Sequence, residues 1–374
     1  MNDTGRPTAS PPADHTVGEA LRQRGVSRRA FLQFCVATTS MLGLPLERAH
    51  AVAAAIANAR RQSVIWLSFQ ECTGCTESIT RSHSPSLENL IFDLISLDYH
   101  HTLQAASADA AEAAREAAMH ENAGKFLLVV DGSIPLANPG YSTIAGISNL
   151  DMLKETAAQA AAIVAVGTCA AYGGIPKANP NPTGAVSVAD IVKDKPVVNI
   201  PGCPPIPVVM TGVLAHFLTF GALPELDGQG RPKIFYAETI HDRCYRRPFY
   251  DQGKFAESFD DAGARDGWCL FKLGCKGPVT YNACATTKWN DGTSFPIQSG
   301  HGCIGCSEPN FWDAGPFYKA LSLPVTPLQS SIGTAAAAGV ALGAAVTFHN
   351  RSVKGGAKAA HHTLEVADLM KEKP

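Results

Sequence analysis

The chain has 374 residues, long enough for two domains, and its formal net charge of -2 excludes a strongly basic nucleic-acid binder. Glycine (33) and proline (25) are plentiful, so much of the chain is expected as loop held by something other than sheet ladders. Eleven cysteines stand for disulfides, metal or catalysis, and their compartment and spacing decide among these.

At the N-terminus a polar start leads to Ser27-Arg28-Arg29-Ala30-Phe31-Leu32, then to an apolar stretch from Phe34 to Leu46 and small residues at Ala49-His50-Ala51. Charge, apolar stretch and small residues, in that order, describe a secretory signal, and paired arginines point to the twin-arginine route. This reading makes residues 1–51 a signal peptide and removes Cys35 with it. An amphipathic helix with two chance arginines is the alternative. The twin-arginine route exports folded proteins, so a cofactor inserted in the cytosol survives the crossing.

From Ser63 to about Phe235, short apolar runs alternate with helical stretches. The runs predict strands over Val64–Phe69, Leu94–Tyr99, Phe126–Asp131, Ala162–Val166 and Val197–Ile200. Helices are expected over Leu87–Phe92, Ala108–His120, Asp151–Ala160 and Val208–Phe220. Runs without polar alternation suit strands buried on both faces, hence a parallel sheet in a doubly wound α/β domain. In such sheets sites form where strands give way to loops. Cys72 and Cys75 follow the first strand, Cys169 the fourth and Cys203 the fifth, so three junctions deliver four thiols to one sheet edge.

After Phe235 the strand pattern ends, and Gly, Pro, Trp and Cys crowd the stretch from His241 to Cys306. Loops alone do not offset their ordering entropy, so this region must be stapled. Two more cysteine groups lie there: His241-x2-Cys244 with Cys269-x5-Cys275, and Cys284 with Cys303-x2-Cys306. Ten cysteines thus divide as four, three and three, with His241 a fourth ligand for the second group. An iron–sulfur cube takes four protein ligands, usually thiolates with histidine a known substitute, and three thiolates suit a cluster lacking one iron. Zinc would accept the first two sets but leaves three thiolates over. Disulfides are compatible with export, although C-x2-C is a poor internal bridge.

Near the C-terminus Ile332 to Phe348 is an uncharged run of 17 residues, at the lower limit of a membrane span. A buried or partner-packed helix is the alternative. Arg351, Lys354 and Lys358 follow, which by the positive-inside rule makes the tail cytoplasmic. An exported body with a cytoplasmic tail requires a crossing between them.

Four long motifs carry a resemblance. They are Glu71-Cys72-Thr73-Gly74-Cys75-Thr76-Glu77-Ser78, Val166-Gly167-Thr168-Cys169-Ala170-Ala171-Tyr172-Gly173-Gly174, Ile200-Pro201-Gly202-Cys203-Pro204-Pro205, and Phe295-Pro296 through Cys303-Ile304-Gly305-Cys306-Ser307-Glu308-Pro309. With them the chain resembles the small subunits of nickel–iron hydrogenases over essentially its whole length. The resemblance implies a flavodoxin-like domain (52–236), an irregular cluster domain (237–326), and a transmembrane anchor with a cytoplasmic tail (327–374).

It also implies that Cys72, Cys75, Cys169 and Cys203 hold a proximal [4Fe-4S] cluster. Cys284, Cys303 and Cys306 would hold a medial [3Fe-4S] cluster, with Pro296 where a fourth thiolate would stand. His241, Cys244, Cys269 and Cys275 would hold a distal [4Fe-4S] cluster. The implied function is an electron relay from a partner large subunit, which alone holds the nickel–iron centre, to a membrane cytochrome b or similar acceptor on the periplasmic side. No residue of this chain is implied to be catalytic, since it lacks the paired C-x2-C sets of the large subunit.

Gly74 and Gly174 stand where oxygen-tolerant relatives carry extra cysteines, which favours a four-thiolate proximal cluster. Glu77 is expected to cap a helix in preference to moving protons. A hydrogen-sensing regulatory subunit and a zinc- or disulfide-stapled periplasmic protein are the other function classes.

Overall fold

The apolar runs form the strands of one five-stranded sheet: β1 (Gln62–Ser68), β2 (Ile95–His100), β3 (Leu127–Asp131), β4 (Ala162–Val166) and β5 (Val197–Ile200). The structure is a computed structural model that describes residues 16–320 apart from Arg24 and Ser84. All neighbouring strands are parallel, in the order β2-β1-β3-β4-β5, which is flavodoxin-like. The register sets Ser68 opposite Asp131, Asp131 opposite Val166, and Val166 opposite Ile200. Four strands therefore end in one row, and the loops that follow β1, β4 and β5 leave from the same edge.

Helices frame this sheet: α1 (Val17–Gln23), α2 (Arg28–Met41), α3 (Ala49–Asn58), α4 (Gly74–Thr80), α5 (Ala108–Glu121), α6 (Asn149–Gln159), α7 (Gly167–Tyr172) and α8 (Pro207–Phe220). Successive strand residues point to opposite faces. Val64, Trp66, Val129, Val164 and Ile200 belong to one core with Ile56 of α3 and Val213 of α8. Ile65, Leu67, Leu128, Val130 and Ile163 belong to the other, with Met119 of α5 and Leu153 of α6. Both faces are covered, which is why the strands read as continuous apolar runs.

The first core continues into the later stretch through Tyr236, Ile240, Leu270, Phe295 and Ile297. Among the described residues after 236 there are only short helical turns and isolated bridges, such as Thr239 with Tyr281 and Phe255 with Cys269. The helix expected over Leu87–Phe92 is one α-turn, Leu87–Asn89, running into a π-turn over Leu90–Leu94.

The N-terminal stretch is ordered against this body. Ser27 caps α2 by accepting from the Ala30 amide at 3.2 Å, and Arg28 and Arg29 are exposed. Cys35, Thr38 and Thr39 on the same helix are buried, facing the body beside α3 and α8. Ala49-His50-Ala51 lies in the first turn of α3, directly before the buried Val52 and Ala53. The run from Ile332 to Phe348 and the basic tail lie outside the described residues. Among those described, no helix is long and apolar enough to cross a membrane.

Candidate iron–sulfur centres

The first thiol set is built by three loops pinned to one another. Thr73, with φ +65°, turns the chain after β1 into α4, setting Cys72 exposed before the turn and Cys75 buried after it. Gly167, with φ +84°, turns the chain from β4 into α7, which carries Cys169. The Thr168 amide donates to the Gly202 carbonyl at 2.9 Å, and the Gly202 amide donates to Thr168 Oγ1 at 2.9 Å. These bonds lock the Cys169 loop to the Cys203 loop. Ser78 of α4 donates to the Pro205 carbonyl at 2.6 Å and ties in the third.

Glycine here is a matter of space. A Cβ on Gly167 would stand 2.4 Å from Cys75 Sγ, and one on Gly174 would stand 2.5 Å from Cys169 Sγ. The sulfurs thus face backbone that carries no side chain.

The second set forms around a short turn. His241 opens a 3-10 turn, and the Cys244 amide donates back to the His241 carbonyl at 3.3 Å. Cys269 is held by its amide to Lys254 and by its carbonyl to the Ala256 amide. Cys275 Sγ accepts from the amides of Gly277 at 3.5 Å and Cys303 at 3.3 Å. One cavity is lined by His241, Cys244, Cys269 and Cys275 together. Burial, then the nearby Arg247 charge, lowers the His241 pKa, so its imidazole is kept neutral and able to ligate.

The third set, Cys284, Cys303 and Cys306, surrounds a cavity of about 390 Å³ that Pro296 also lines. Ser307 donates to the Tyr281 carbonyl at 2.9 Å, and the Tyr281 amide donates to Glu308 at 2.6 Å, which fixes the loop end after Cys306.

The three sets stand in a row. Thr168 donates to the Cys306 carbonyl, joining the first set's loop to the third's, and Cys203 feels the charge of Cys306. The Cys303 amide on Cys275 Sγ joins the third set to the second. The order is therefore 72/75/169/203, then 284/303/306, then 241/244/269/275.

All eleven cysteines are free, so the disulfide-stapled reading does not describe this fold. No three His, Cys, Asp or Glu side chains converge tightly enough among the described residues to hold a single metal ion. The sulfurs of the third set instead line a volume of about 390 Å³, which suits a multi-iron cluster better than one zinc ion.

Burial, with the neighbouring thiols adding to it, pushes Cys169 up to about 12 and Cys203 up to about 11. Clustered thiols fit iron, whose positive charge deprotonates a coordinating thiol outright.

Glu77 lies in the first turn of α4 and pairs with Arg81 at 2.6 Å; both are exposed. Among the described residues its side chain caps no backbone amide, which corrects the expectation made from sequence. Residues that sequence reasoning missed are Thr168 and Gly167, which shape the first set, and Arg246, which lines the second cavity.

A doubly wound domain with three thiol sets in a row defines a class: an iron–sulfur electron carrier joined to a partner. Comparison with known proteins narrows it. Residues 72–217 match the family model "NADH ubiquinone oxidoreductase, 20 Kd subunit", and residues 236–318 match the family model for the C-terminal part of the NiFe/NiFeSe hydrogenase small subunit. The uptake hydrogenase small subunit of Azotobacter vinelandii is 49% identical over 339 residues, covering 89% of this chain and 94% of that one. The hydrogenase-1 small chain of Citrobacter freundii is 45% identical, covering 96% and 97%.

Among solved structures, the reduced, active Ni-Fe-Se hydrogenase from Desulfomicrobium baculatum superposes with a TM-score of 0.66 at 38% identity, covering 70% of this chain and 100% of that one. The chain belongs to the family of nickel–iron hydrogenase small subunits. As such it is an electron-transfer subunit that uses iron–sulfur clusters and pairs with a hydrogenase large subunit.

Proposed function

We propose that this chain receives electrons from hydrogen oxidation in its large subunit and delivers them to a membrane acceptor such as a cytochrome b. In this reading Cys72, Cys75, Cys169 and Cys203 hold a proximal [4Fe-4S] cluster, and Cys284, Cys303 and Cys306 a medial [3Fe-4S] cluster. His241, Cys244, Cys269 and Cys275 hold a distal [4Fe-4S] cluster. When bound, such clusters take up and release electrons one at a time. The observation that carries the reading is the row itself, with Thr168 bonded to the Cys306 carbonyl and the Cys303 amide on Cys275 Sγ.

The chain's own residues divide the work. Gly167 and Gly174 leave room for Cys75 and Cys169, and Pro296 occupies the medial wall without offering a ligand. Exposed Cys72 and Ile175 on the proximal loops support docking of the large subunit on that side. Ser27-Arg28-Arg29 and the apolar residues after them support export by the twin-arginine route. The run from Ile332 to Phe348 supports an anchor in the cell membrane, with the body on the periplasmic side. Uptake hydrogenase small subunits among its relatives support the direction from hydrogen to acceptor.

An electron paramagnetic resonance spectrum of the purified heterodimer with its large subunit, together with iron and sulfide counts, tests this. The expected result is one oxidised [3Fe-4S] signal, two reduced [4Fe-4S] signals, and about eleven irons outside the nickel–iron centre. Zinc in place of iron, or a single cluster, would refute it.

A further inference from the structure

Among the described residues, Arg246 is a buried cation with no carboxylate partner. It is 6% exposed. Nε donates to Tyr245 Oη at 2.7 Å and Nη1 donates to the Trp268 carbonyl at 2.7 Å, and the guanidinium carbon lies 5.4 Å from the Tyr245 ring centre. None of these partners carries a charge. Its neighbours are different: Arg243 pairs with Glu238 at 2.6 Å and Arg247 with Asp242 at 2.9 Å, both at the surface. Among the described residues no carboxylate forms an ion pair with Arg246. Burying a charge without a counter-charge is strongly unfavourable, so a compensating negative group is expected nearby.

The group is suggested by what Arg246 faces. It lines the same cavity as His241, Cys244, Cys269 and Cys275. Tyr245, which holds it, donates to the Ile297 carbonyl at 3.3 Å, and Ile297 borders both this cavity and the medial one. The guanidinium is thus fixed to the wall between two centres and cannot swing to solvent without breaking two hydrogen bonds.

We propose that Arg246 is the fixed counter-cation of the distal centre and raises its reduction potential. A cluster gains negative charge when it accepts an electron, and a cation held beside it favours that state over the oxidised one. The distal centre would then accept electrons from the medial side more readily than its ligands alone allow. This rests on the assignment of His241, Cys244, Cys269 and Cys275 as the distal ligands.

Redox titration followed by electron paramagnetic resonance on the purified heterodimer tests it, with wild type, Arg246→Gln, Arg246→Lys and His241→Cys side by side. Arg246→Gln is expected to lower the reduced-to-oxidised ratio of the distal centre at least tenfold at fixed potential, about 59 mV downward for one electron. The other two waves should stay in place, and Arg246→Lys, which keeps the charge, should hold the distal wave within about threefold of wild type, roughly half of that shift.

An unmoved distal wave in Arg246→Gln overturns the inference. So does an equal shift in Arg246→Lys, because the guanidinium would then act through its hydrogen bonds and not its charge. If the Gln variant does not assemble, the Lys variant decides alone: a retained wave supports the proposal, and a shifted or lost one overturns it. His241→Cys separates the two layers. If it moves no wave, the ligand assignment falls; if it moves the distal wave while Arg246→Gln does not, only the role of Arg246 falls.

Discussion

Substituting Gly167 by alanine should dislodge the proximal cluster, and the structure sets the scale of the effect. Gly167 has φ +84°, a conformation that costs an alanine about 1–2 kcal/mol. Its new Cβ would lie 2.4 Å from Cys75 Sγ, far inside van der Waals contact. Forcing extra volume into a packed site costs about 1–3 kcal/mol. Gly267 supplies the control, since it has φ +76° but nothing within 4 Å of the added Cβ. Gly267→Ala therefore bears only the backbone cost, and the difference between the variants isolates the collision at about 1–3 kcal/mol.

At about 2–4 °C per kcal/mol, Gly167→Ala should melt roughly 2–12 °C below Gly267→Ala. Iron counting adds a second readout. Cys75 is pinned by α4, itself tied to Pro205 through Ser78, so the sulfur yields by leaving its place in the cradle. One four-iron cluster should be lost from Gly167→Ala and kept in Gly267→Ala. Equal melting temperatures and equal iron in the two complexes would refute the cradle argument.

Other expectations follow from the same geometry. Pro296→Cys places a thiol on the medial cavity wall and should abolish the oxidised [3Fe-4S] signal; persistence of that signal in a normally assembled complex removes Pro296 from the argument. His241→Ala should slow electron delivery to acceptors while leaving hydrogen–deuterium exchange at the large subunit intact, and equal loss of both in an intact complex contradicts a distal role. With Gly74 and Gly174 in place of cysteines, air should inhibit the enzyme, with slow reactivation on reduction; sustained hydrogen oxidation in air contradicts this. Truncation after Pro327 should release a complex that reduces dyes but not quinone, and retention in salt-washed membranes would remove the anchor from residues 332–348.

The sheet was legible because its strands are buried on both faces. Val64 to Leu67, Leu127 to Val130 and Ala162 to Val166 carry no polar alternation, and both cores consume them. The first thiol set was legible for a related reason, since Cys72, Cys169 and Cys203 each follow a strand end within a few residues. What remained hidden depends on packing that no local pattern encodes. Arg243, Arg246 and Arg247 carry no local pattern that tells them apart, yet the fold exposes Arg243, half-buries Arg247 and buries Arg246. Glu77 is placed as a cap by its position in α4, but Arg81 one turn on captures it. The docking of α2 was equally invisible, because Cys35, Thr38 and Thr39 read as parts of an apolar leader and not as one buried face.

The thiol row owes its spacing to backbone more than to regular structure. The first set hangs from a parallel sheet whose strand ends are level, so its thiol loops start from one line. The second and third sets have no such frame, and among the described residues they are held by turns, amide-to-sulfur bonds and a few side chains. The bonds that join sets therefore carry unusual weight. The Cys303 amide reaches across to Cys275 Sγ, so moving the third set's loop moves a sulfur of the second. Gly302 reinforces this, since a Cβ there would stand 2.9 Å from the Cys275 Cα. The Gly302–Cys303 backbone and Cys275 approach closely, and that approach sets how near the third and second thiol sets stand. On this side the placing of the thiols is a property of glycine placement, while on the sheet side it is a property of strand register.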